Sequence, residues 1–488
     1  MLRGLTRLLG SLVLLALAAA LIGFGWLAFR AWRFDQTESF DAMRAKVTAL
    51  GALSDAAKAH SGARPNLVLI LFDDLGWGDL GSYRSEAPAT PRLDRIAAQG
   101  AVFENFYSAA PYCTPSRAGL LTGRWPIRSG LTQVVFPRGH PIDWVQRASG
   151  RPIRLPADEI TLADALHAGG YETMMIGKWH LGAEAPSLPN DFGFERYFGV
   201  LHSNDMSPLP LWRDREIAEP DPIDQSTLVR KYTDEAVAFL EGNHDRPFFL
   251  YLAHNFPHEP LHASAAQAGK SPDGTYGDVI ADLDASTGAI MDALERLGLA
   301  RNTLVLVTSD NGPWFEGSPG ALRGRKNDVL EGGMRVPLIA RWPGRIPAGQ
   351  RVEDVASAVD VLPTALALAD LPLPADRVID GADISSLLFG RGAKPPERPV
   401  FYYEDRSLYA VRLGRWKAHR RHGYYGGLAA DWPVVPLVKK GPWLFDLQRD
   451  PDESYDVSMK RPEELERLLG VMQDFDAELA TNPRGWKR

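Results

Sequence analysis

Four runs of the chain are apolar at nearly every position, and each stops on polar, ionisable residues. Asn66–Phe72 (NLVLILF) stops at Asp73-Asp74, and residues 171–176 (YETMMI) stop at Gly177-Lys178-Trp179-His180. Phe248–Ala253 (FFLYLA) stops at His254 and then His258, and Thr303–Ser309 (TLVLVTS) stops at Asp310-Asn311-Gly312. Continuous rather than alternating hydrophobicity is the pattern of a parallel strand covered on both faces. Stretches with helical spacing lie between them, notably 161–168, 227–240 and 278–297. Strands alternating with helices predict an α/β fold around a mostly parallel sheet. Ligands of such sheets collect at the carboxyl ends of the strands, so the four polar stops predict one site on one sheet edge. Adjacent carboxylates such as Asp73-Asp74 cannot share a face of a regular strand, which puts that pair where the chain bends.

The pattern changes at both ends of the chain. Residues 8–29 carry no charge, are rich in Leu and Ala, and lie between Arg3 and Arg7 on one side and Arg30 and Arg33 on the other. A helix of about 20 apolar residues spans a bilayer. Ala18-Ala19-Ala20 resembles a signal cleavage site, yet the apolar run continues through Leu21 to Leu27, so the expectation is an uncleaved anchor; cleavage would make the chain secreted. Residues 34–64 mix charged, Ala and Ser positions and read as a helical stalk or linker. Beyond Lys394-Pro395-Pro396, short runs at 400–403, 409–413, Trp416–His419 and Trp443–Asp446, with a helical pattern at 462–479, predict a small antiparallel sheet packed by one helix. The Gly- and Tyr-rich stretch 422–432 reads as a surface loop. The expected organisation is therefore 1–33 anchor or signal, 34–64 linker, 65–393 main domain and 394–488 C-terminal subdomain.

At 488 residues, 45% hydrophobic and 24% charged, the chain is large enough for one big α/β domain and a smaller one. A net charge of −7 argues against a nucleic-acid-binding surface. Cys113 is the only cysteine, which excludes an intrachain disulfide and a four-cysteine zinc site. It precedes a helix-start pattern in which Thr114 can cap, Pro115 suits the first helical position and Thr122-Gly123 ends the run. A residue just ahead of a helix faces unpaired N–H groups that suit an anion, and Arg117 lies one turn on. Asp73, Asp74, Asp310 and Asn311 offer hard oxygen ligands without thiolates, which favours Ca²⁺ or Mg²⁺ over zinc. Lys178, His180, His258 and Lys326 supply cations and proton donors. One metal flanked by such groups is what a tetrahedral oxyanion ester requires.

The run C-T-P-S-R-A-G-L-L-T-G-R from Cys113 resembles the signature of the type I sulfatases, formylglycine-dependent enzymes of the alkaline phosphatase superfamily. F-D-D-L-G-W-G-D, G-K-W-H-L-G, P-H-E-P, S-D-N-G and R-K-N-D-V-L-E-G-G are similar to sulfatase motifs and stand in sulfatase order, over about residues 66–343. The likeness is greatest to the arylsulfatase A group. It implies a large mixed, mostly parallel sheet sandwiched by helices, with a smaller C-terminal antiparallel-sheet subdomain. It implies hydrolysis of a sulfate monoester to an alcohol or phenol plus sulfate, the substrate being a small-molecule, glycan or lipid ester. Cys113 is then converted by a maturase to formylglycine (3-oxoalanine), whose hydrate attacks sulfur with help from Arg117. Asp73, Asp74, Asp310, Asn311 and the modified Cys113 bind Ca²⁺, with Mg²⁺ the other candidate. Lys178, Ser203, His258 and Lys326 contact the sulfate, although the neighbours of Ser203 depart from the family pattern. His258 or Lys326 protonates the leaving group, and His180 takes the proton of the second hydroxyl. His254 reads as a packing group. A formylglycine-dependent phosphonate monoester hydrolase or phosphodiesterase shares the nucleophile and metal motifs and is the alternative. The N-terminal segment, with the absence of Asn-x-Ser/Thr sequons and of paired cysteines, predicts a cell-envelope protein whose catalytic domain lies in the periplasm or outside the cell.

Overall fold

The computed structural model describes residues 2–59, 62–242, 245–420 and 441–487, with side chains from residue 12 onward. The stretch 422–432, read above as a loop, lies outside the described residues.

The main sheet is built from Asn66–Phe72 (β1), Ala101–Tyr107 (β2), Glu172–Lys178 (β3), Arg196–Val200 (β4), Leu211–Arg213 (β5) and Glu216–Glu219 (β6). Phe248–Ala253 (β7), Thr303–Ser309 (β8), Arg335–Arg341 (β9), Gln350–Val352 (β10) and Ala356–Ser357 (β11) complete it. The order is β10-β2-β9-β8-β1-β7-β3-β4-β5-β6, with β11 also paired to β2. β1 runs parallel to β7 and β8, and β3 parallel to β7 and β4, whereas β9 is antiparallel to both β8 and β2. The sheet is thus mixed and mostly parallel. Every residue of β1 is buried, and alternate residues serve opposite cores: Leu67, Leu69 and Leu71 on one face, Val68, Ile70 and Phe72 on the other. That double burial is why the strand reads as unbroken hydrophobicity. Helices Cys113–Thr122, Leu162–Ala168 and Val361–Leu368 cover the first face; Pro91–Ala98, Leu228–Glu241 and Gly274–Arg296 cover the second.

The second sheet is antiparallel, formed by Val400–Glu404 (β12), Ser407–Leu413 (β13), Trp416–His419 (β14) and Trp443–Asp446 (β15) in sequence order. Helix Pro462–Thr481 packs on it through Leu468, Met472 and Phe475, a stripe at helical spacing, and the Phe475 ring stacks on Phe401 at 4.0 Å. A buried ionic cluster joins the two sheets. Glu331, fully buried, accepts hydrogen bonds from Tyr107 (2.6 Å), Arg335 (2.6 Å), Tyr402 (2.8 Å) and Lys417 (3.1 Å). Lys417 also pairs with Glu453 at 3.0 Å, and Glu453 takes His419 at 2.6 Å.

The segment 34–64 is largely helical, as expected of a stalk, but it is not a free-standing one. Helix Phe40–Ala59 is docked on the main domain, with Ala49 and Leu53, one turn apart, inside its core. Lys46 is buried, donating to the Ala157 carbonyl (3.1 Å) and pairing with Asp164 (3.4 Å). Ahead of it, Leu2–Arg33 is one helix, and its part Leu12–Arg33 is long and apolar enough to cross a membrane. Leu14, Leu15, Leu21 and Ile22 all lie exposed on it.

Candidate active site

Because β1, β3, β7 and β8 are parallel neighbours, their carboxyl ends sit side by side. Phe72 pairs with Ser309 and Gly177 with Ala253, so Asp73, Asp310, Lys178 and His254 emerge at one edge. Gly177 makes the close approach there: a Cβ on it would lie 1.8 Å from the Ala253 carbonyl oxygen, and its φ of 100° suits glycine alone. The chain turns sharply beyond these ends. Asp74, His180 and Asn327 hold left-handed backbones with φ of 65°, 60° and 74°, a region that Asp, His and Asn enter more readily than other non-glycine residues.

Helix Cys113–Thr122 aims its amino end at the same edge, and all of its residues are buried. Two details differ from the sequence expectation. Cys113 is the first residue of the helix rather than the one before it, and Tyr112 holds the cap position without a side-chain cap. Thr114 does not cap; its hydroxyl donates to the His180 carbonyl (2.9 Å) and accepts from the Val135 N–H (3.2 Å). Gly123 ends the helix in the left-handed conformation, as a Thr-Gly stop requires.

Cys113 Sγ lies 3.4 Å from Asp73 Oδ1. One ligand atom each from Asp73, Asp74, Cys113 and His258 fall within 4.8 Å of one another. Asp310 stands just beside that group: its carboxylate accepts the Asp74 N–H (3.2 Å) and Arg117 Nε (2.9 Å). Asn311 donates to Asp74 Oδ1 (2.7 Å), which leaves its own Oδ1 buried with no hydrogen-bond partner among the described residues. Three carboxylates crowded in a buried site repel one another. Burial and then the charge of Asp73 push the Asp310 carboxyl above the usual range. Burial would raise Asp73 too, but Lys178, His258, Arg117 and Lys326 outweigh it and hold that carboxyl far below. Crowded carboxylates beside an orphaned amide oxygen fit a hard divalent cation, with Cys113 Sγ and a His258 nitrogen in the same cluster.

Cations close the site. Lys178 Nζ lies 2.5 Å from Asp73 Oδ2 and 2.9 Å from Ser203 Oγ; Lys326 Nζ lies 2.9 Å from Asp74 Oδ2. Arg117 is fully buried, pairs with Asp310 at 2.9 Å and Asp73 at 3.5 Å, and donates to the Lys178 carbonyl at 2.6 Å. His258 Nδ1 sits 2.5 Å from the Glu259 carbonyl and so carries the proton, leaving Nε2 facing Asp74 at 3.8 Å. His180 Nε2 sits 2.9 Å from the Val135 carbonyl, which fixes the proton on that nitrogen; Nδ1 is buried without a hydrogen-bond partner among the described residues. Burial and then Lys178 depress the His180 pKa well below that of free histidine, so the ring is neutral and Nδ1 is a free acceptor. The Cys113 thiol is pushed up by burial and by Asp73, and a protonated thiol is a poor nucleophile.

The structure thus brings Asp73, Asp74, Cys113, Arg117, Lys178, His180, Ser203, His258, Asp310, Asn311 and Lys326 to one edge. His254 is a packing group: it is buried, stacks on Phe72 at 5.9 Å and meets Ser286 at 3.2 Å. His202 escaped the sequence reading. Its ring is 6.4 Å from that of His180, and burial, then Lys178, lower its pKa to about 4. Its signal was its place two residues after β4, a strand the hydrophobic pattern did not single out. Asp74, His258 and Lys326 open into a cavity of about 710 Å³ that Asp205, Glu259, Leu261 and Trp314 also line. A larger hollow of about 930 Å³ beside β5 and β6 contains none of the site residues.

The sulfatase family model matches residues 65–371, and the model for the C-terminal region of aryl-sulfatase matches 395–484. N-acetylgalactosamine-6-sulfatase of Mus musculus is 41% identical over 475 residues, which span 89% of each chain. Arylsulfatase A of Homo sapiens is 38% identical over 453 residues, 83% of this chain and 86% of that protein. Among solved structures, the PsFucS1 sulfatase from Pseudoalteromonas sp. superposes with a TM-score of 0.76 at 27% identity, covering 92% of this chain and 96% of that one. By its catalytic sheet and its C-terminal region alike, this chain belongs to the sulfatase family of sulfuric ester hydrolases.

Proposed function

We propose that the protein hydrolyses a sulfate monoester to an alcohol or phenol and sulfate, in the manner of an arylsulfatase, with Cys113 converted to formylglycine by a maturase. The observation that carries the reading is the convergence on one buried point: Cys113 Sγ lies 3.4 Å from Asp73, whose other oxygen meets Lys178 at 2.5 Å. Asp73, Asp74, Asp310 and Asn311 would hold Ca²⁺, which when bound would neutralise charge on the sulfuryl oxygens. Formylglycine supplies, as its hydrate, an oxygen nucleophile in place of a thiol that burial keeps protonated.

The chain's own residues do the rest. Lys178, Ser203, His258 and Lys326 bind the sulfuryl oxygens, and Arg117, held by Asp310, orients the position-113 side chain and adds charge. Lys326 Nζ is set to protonate the leaving oxygen, and it keeps its proton because Asp74, Cys113 and Asp73 together outweigh the effect of burial. His258 can take that role only as the imidazolium, with Nε2 protonated as well as the Nδ1 held by the Glu259 carbonyl. His180 offers Nδ1 as the base for a hydroxyl proton at position 113, with its other nitrogen tied to Val135. Residues 65–393 form the catalytic domain and 394–488 the C-terminal subdomain. The apolar helix Leu12–Arg33 anchors the chain in a membrane, with the catalytic domain in the periplasm or outside the cell. One relative is an N-acetylgalactosamine-6-sulfatase, which makes sugar sulfates the first natural substrates to try.

The test is a paired assay of protein co-expressed with a maturase, on 4-nitrophenyl sulfate and on a 4-nitrophenyl phosphonate monoester. Higher kcat/KM on the sulfate is expected. Higher kcat/KM on the phosphonate would transfer the assignment to a phosphonate monoester hydrolase.

A further inference from the structure

Helix Pro141–Ser149 has an outer face without charge. Its exposed residues are Pro141, Ile142, Val145 and Ser149, with Ile142 44% and Val145 55% exposed. Its two charged residues satisfy each other instead: Asp143 is buried and pairs with Arg147 at 2.9 Å. A surface helix ordinarily turns charged and polar residues to water, so this face is the reverse of the expected one. It lies against the apolar N-terminal helix. Trp144 stacks on Phe24 with ring centroids 5.6 Å apart, and the Arg30 guanidinium sits beside Gly150.

We propose that helix Pro141–Ser149 is a second membrane-contacting element, seated in the interfacial layer of the bilayer next to the anchor. The proposal rests on the anchor reading of Leu12–Arg33. Depth supports it. Phe24 precedes Arg30 by six residues, about 9 Å along a helix axis, and interfacial helices reach about 5–10 Å into the headgroup and acyl boundary. With Arg30 and Arg33 among the headgroups, Trp144 falls within that layer. Trp26, Phe29 and Trp32 mark the same level: the Arg30 guanidinium lies over the Trp26 ring at 4.9 Å and that of Arg33 over Phe29 at 5.8 Å, the aromatic and basic girdle of an interface.

The catalytic domain cannot lift away on a loose tether. Gln36 donates to the Arg154 carbonyl (3.0 Å) and accepts from the Ile153 N–H (3.0 Å), Glu38 pairs with Arg154 at 2.9 Å, and the docked helix Phe40–Ala59 follows at once. The height of the domain over the bilayer is therefore fixed by the anchor. Gln146, on the inner side of the same helix, donates to the Val134 carbonyl at 2.8 Å; the next residue, Val135, holds His180. Bilayer contact and catalytic histidine are thus joined through one short segment.

The experiment uses the full chain in phosphatidylcholine–phosphatidylglycerol vesicles. An environment-sensitive fluorophore is attached at Ile142→Cys, Val145→Cys and, as an aqueous control, Ile217→Cys on β6, each in a Cys113→Ser background that has no other thiol. The expected result is a blue-shifted emission at 142 and 145 that lipid-borne doxyl groups quench several-fold more strongly than emission at 217. Vesicle-bound protein with equal quenching at all three positions would overturn this inference and leave the anchor standing. A blue shift without lipid quenching would also overturn it, in favour of a second protein chain on that face. Protein released from vesicles by carbonate would overturn the anchor reading and the inference together.

Discussion

Replacing Lys178 by Met keeps the length of the side chain and removes its charge, at a position with no exposure to solvent. Two effects follow from its contacts, 2.5 Å to Asp73 and 2.9 Å to Ser203. The first is catalytic. A preorganised donor aimed at charge that develops on the sulfuryl group contributes about 2.7–4 kcal/mol, so its loss lowers kcat by about 10²–10³. The second concerns stability. Lys178 is the strongest of the cations that hold Asp73 ionised, and stripping one partner from a buried pair costs about 3–5 kcal/mol, less whatever a bound cation returns. Initial rates on 4-nitrophenyl sulfate, measured on protein whose circular dichroism matches the parent, separate the two effects. Lys178→Arg should not restore the rate, because a planar guanidinium cannot place one compact charge between Asp73 and Ser203. A folded Lys178→Met variant with kcat/KM within about threefold of the parent, under 1 kcal/mol, would refute the reasoning.

The other predictions concern the metal, the joint between the sheets and pH. Chelation with EDTA should abolish turnover and Ca²⁺ should restore it, while Asn311→Ala should raise the Ca²⁺ concentration needed; indifference to EDTA contradicts the metal assignment. Glu331→Ala leaves Arg335, Arg412 and Lys417 short of a buried counter-charge and should cost about 3–5 kcal/mol. At about 2–4 °C per kcal/mol for a large domain, its melting midpoint should fall by about 6–20 °C, and an unchanged midpoint would remove Glu331 as the link between sheets. For Glu453, burial would raise the pKa, but Lys417 and His419 outweigh it and hold the folded-state value below the ordinary 4.5. A carboxyl depressed in the folded state stabilises fully above its unfolded value and loses that contribution as pH falls through the interval beneath. The advantage of the parent over Glu453→Gln in urea midpoint should therefore shrink below about pH 4.5, and a constant difference down to about pH 3 would contradict the assignment.

The central strands and their polar ends were legible because β1, β3, β7 and β8 are buried on both faces and need apolar residues throughout. β2 was not, since Glu104 and Asn105 interrupt AVFENFY where its register against β9 shifts between Phe103 and Phe106. β5, β6, β10 and β11 are short pieces at or next to the sheet's edges with too few residues to carry a pattern. Thr114 was misread for a local reason: the cap rule sees a hydroxyl ahead of Pro115, whereas the hydroxyl is taken by His180 and Val135, both far away in sequence. The segment 34–64 was read as helical, which Phe40–Ala59 is, but its docking was missed for the complementary reason. Its alanine-rich, charged surface resembles a spacer, and only the long-range pair Lys46–Asp164 and the burial of Leu53 reveal that it is docked. Glu331 stood inside a quoted motif, but its partners Tyr107, Tyr402 and Lys417 come from three other elements, and no spacing rule brings them together.

The central claim is that residue 113 is the reacting group once its thiol has been oxidised. Mass spectrometry of the peptide spanning Cys113, from protein made with a maturase, measures the modification directly and can be set against turnover of the same sample. The account predicts the aldehyde mass at residue 113, activity in proportion to its occupancy, and none in a folded Cys113→Ala variant. Full sulfate-ester turnover by Cys113→Ala, or by protein in which residue 113 is entirely thiol, would contradict it.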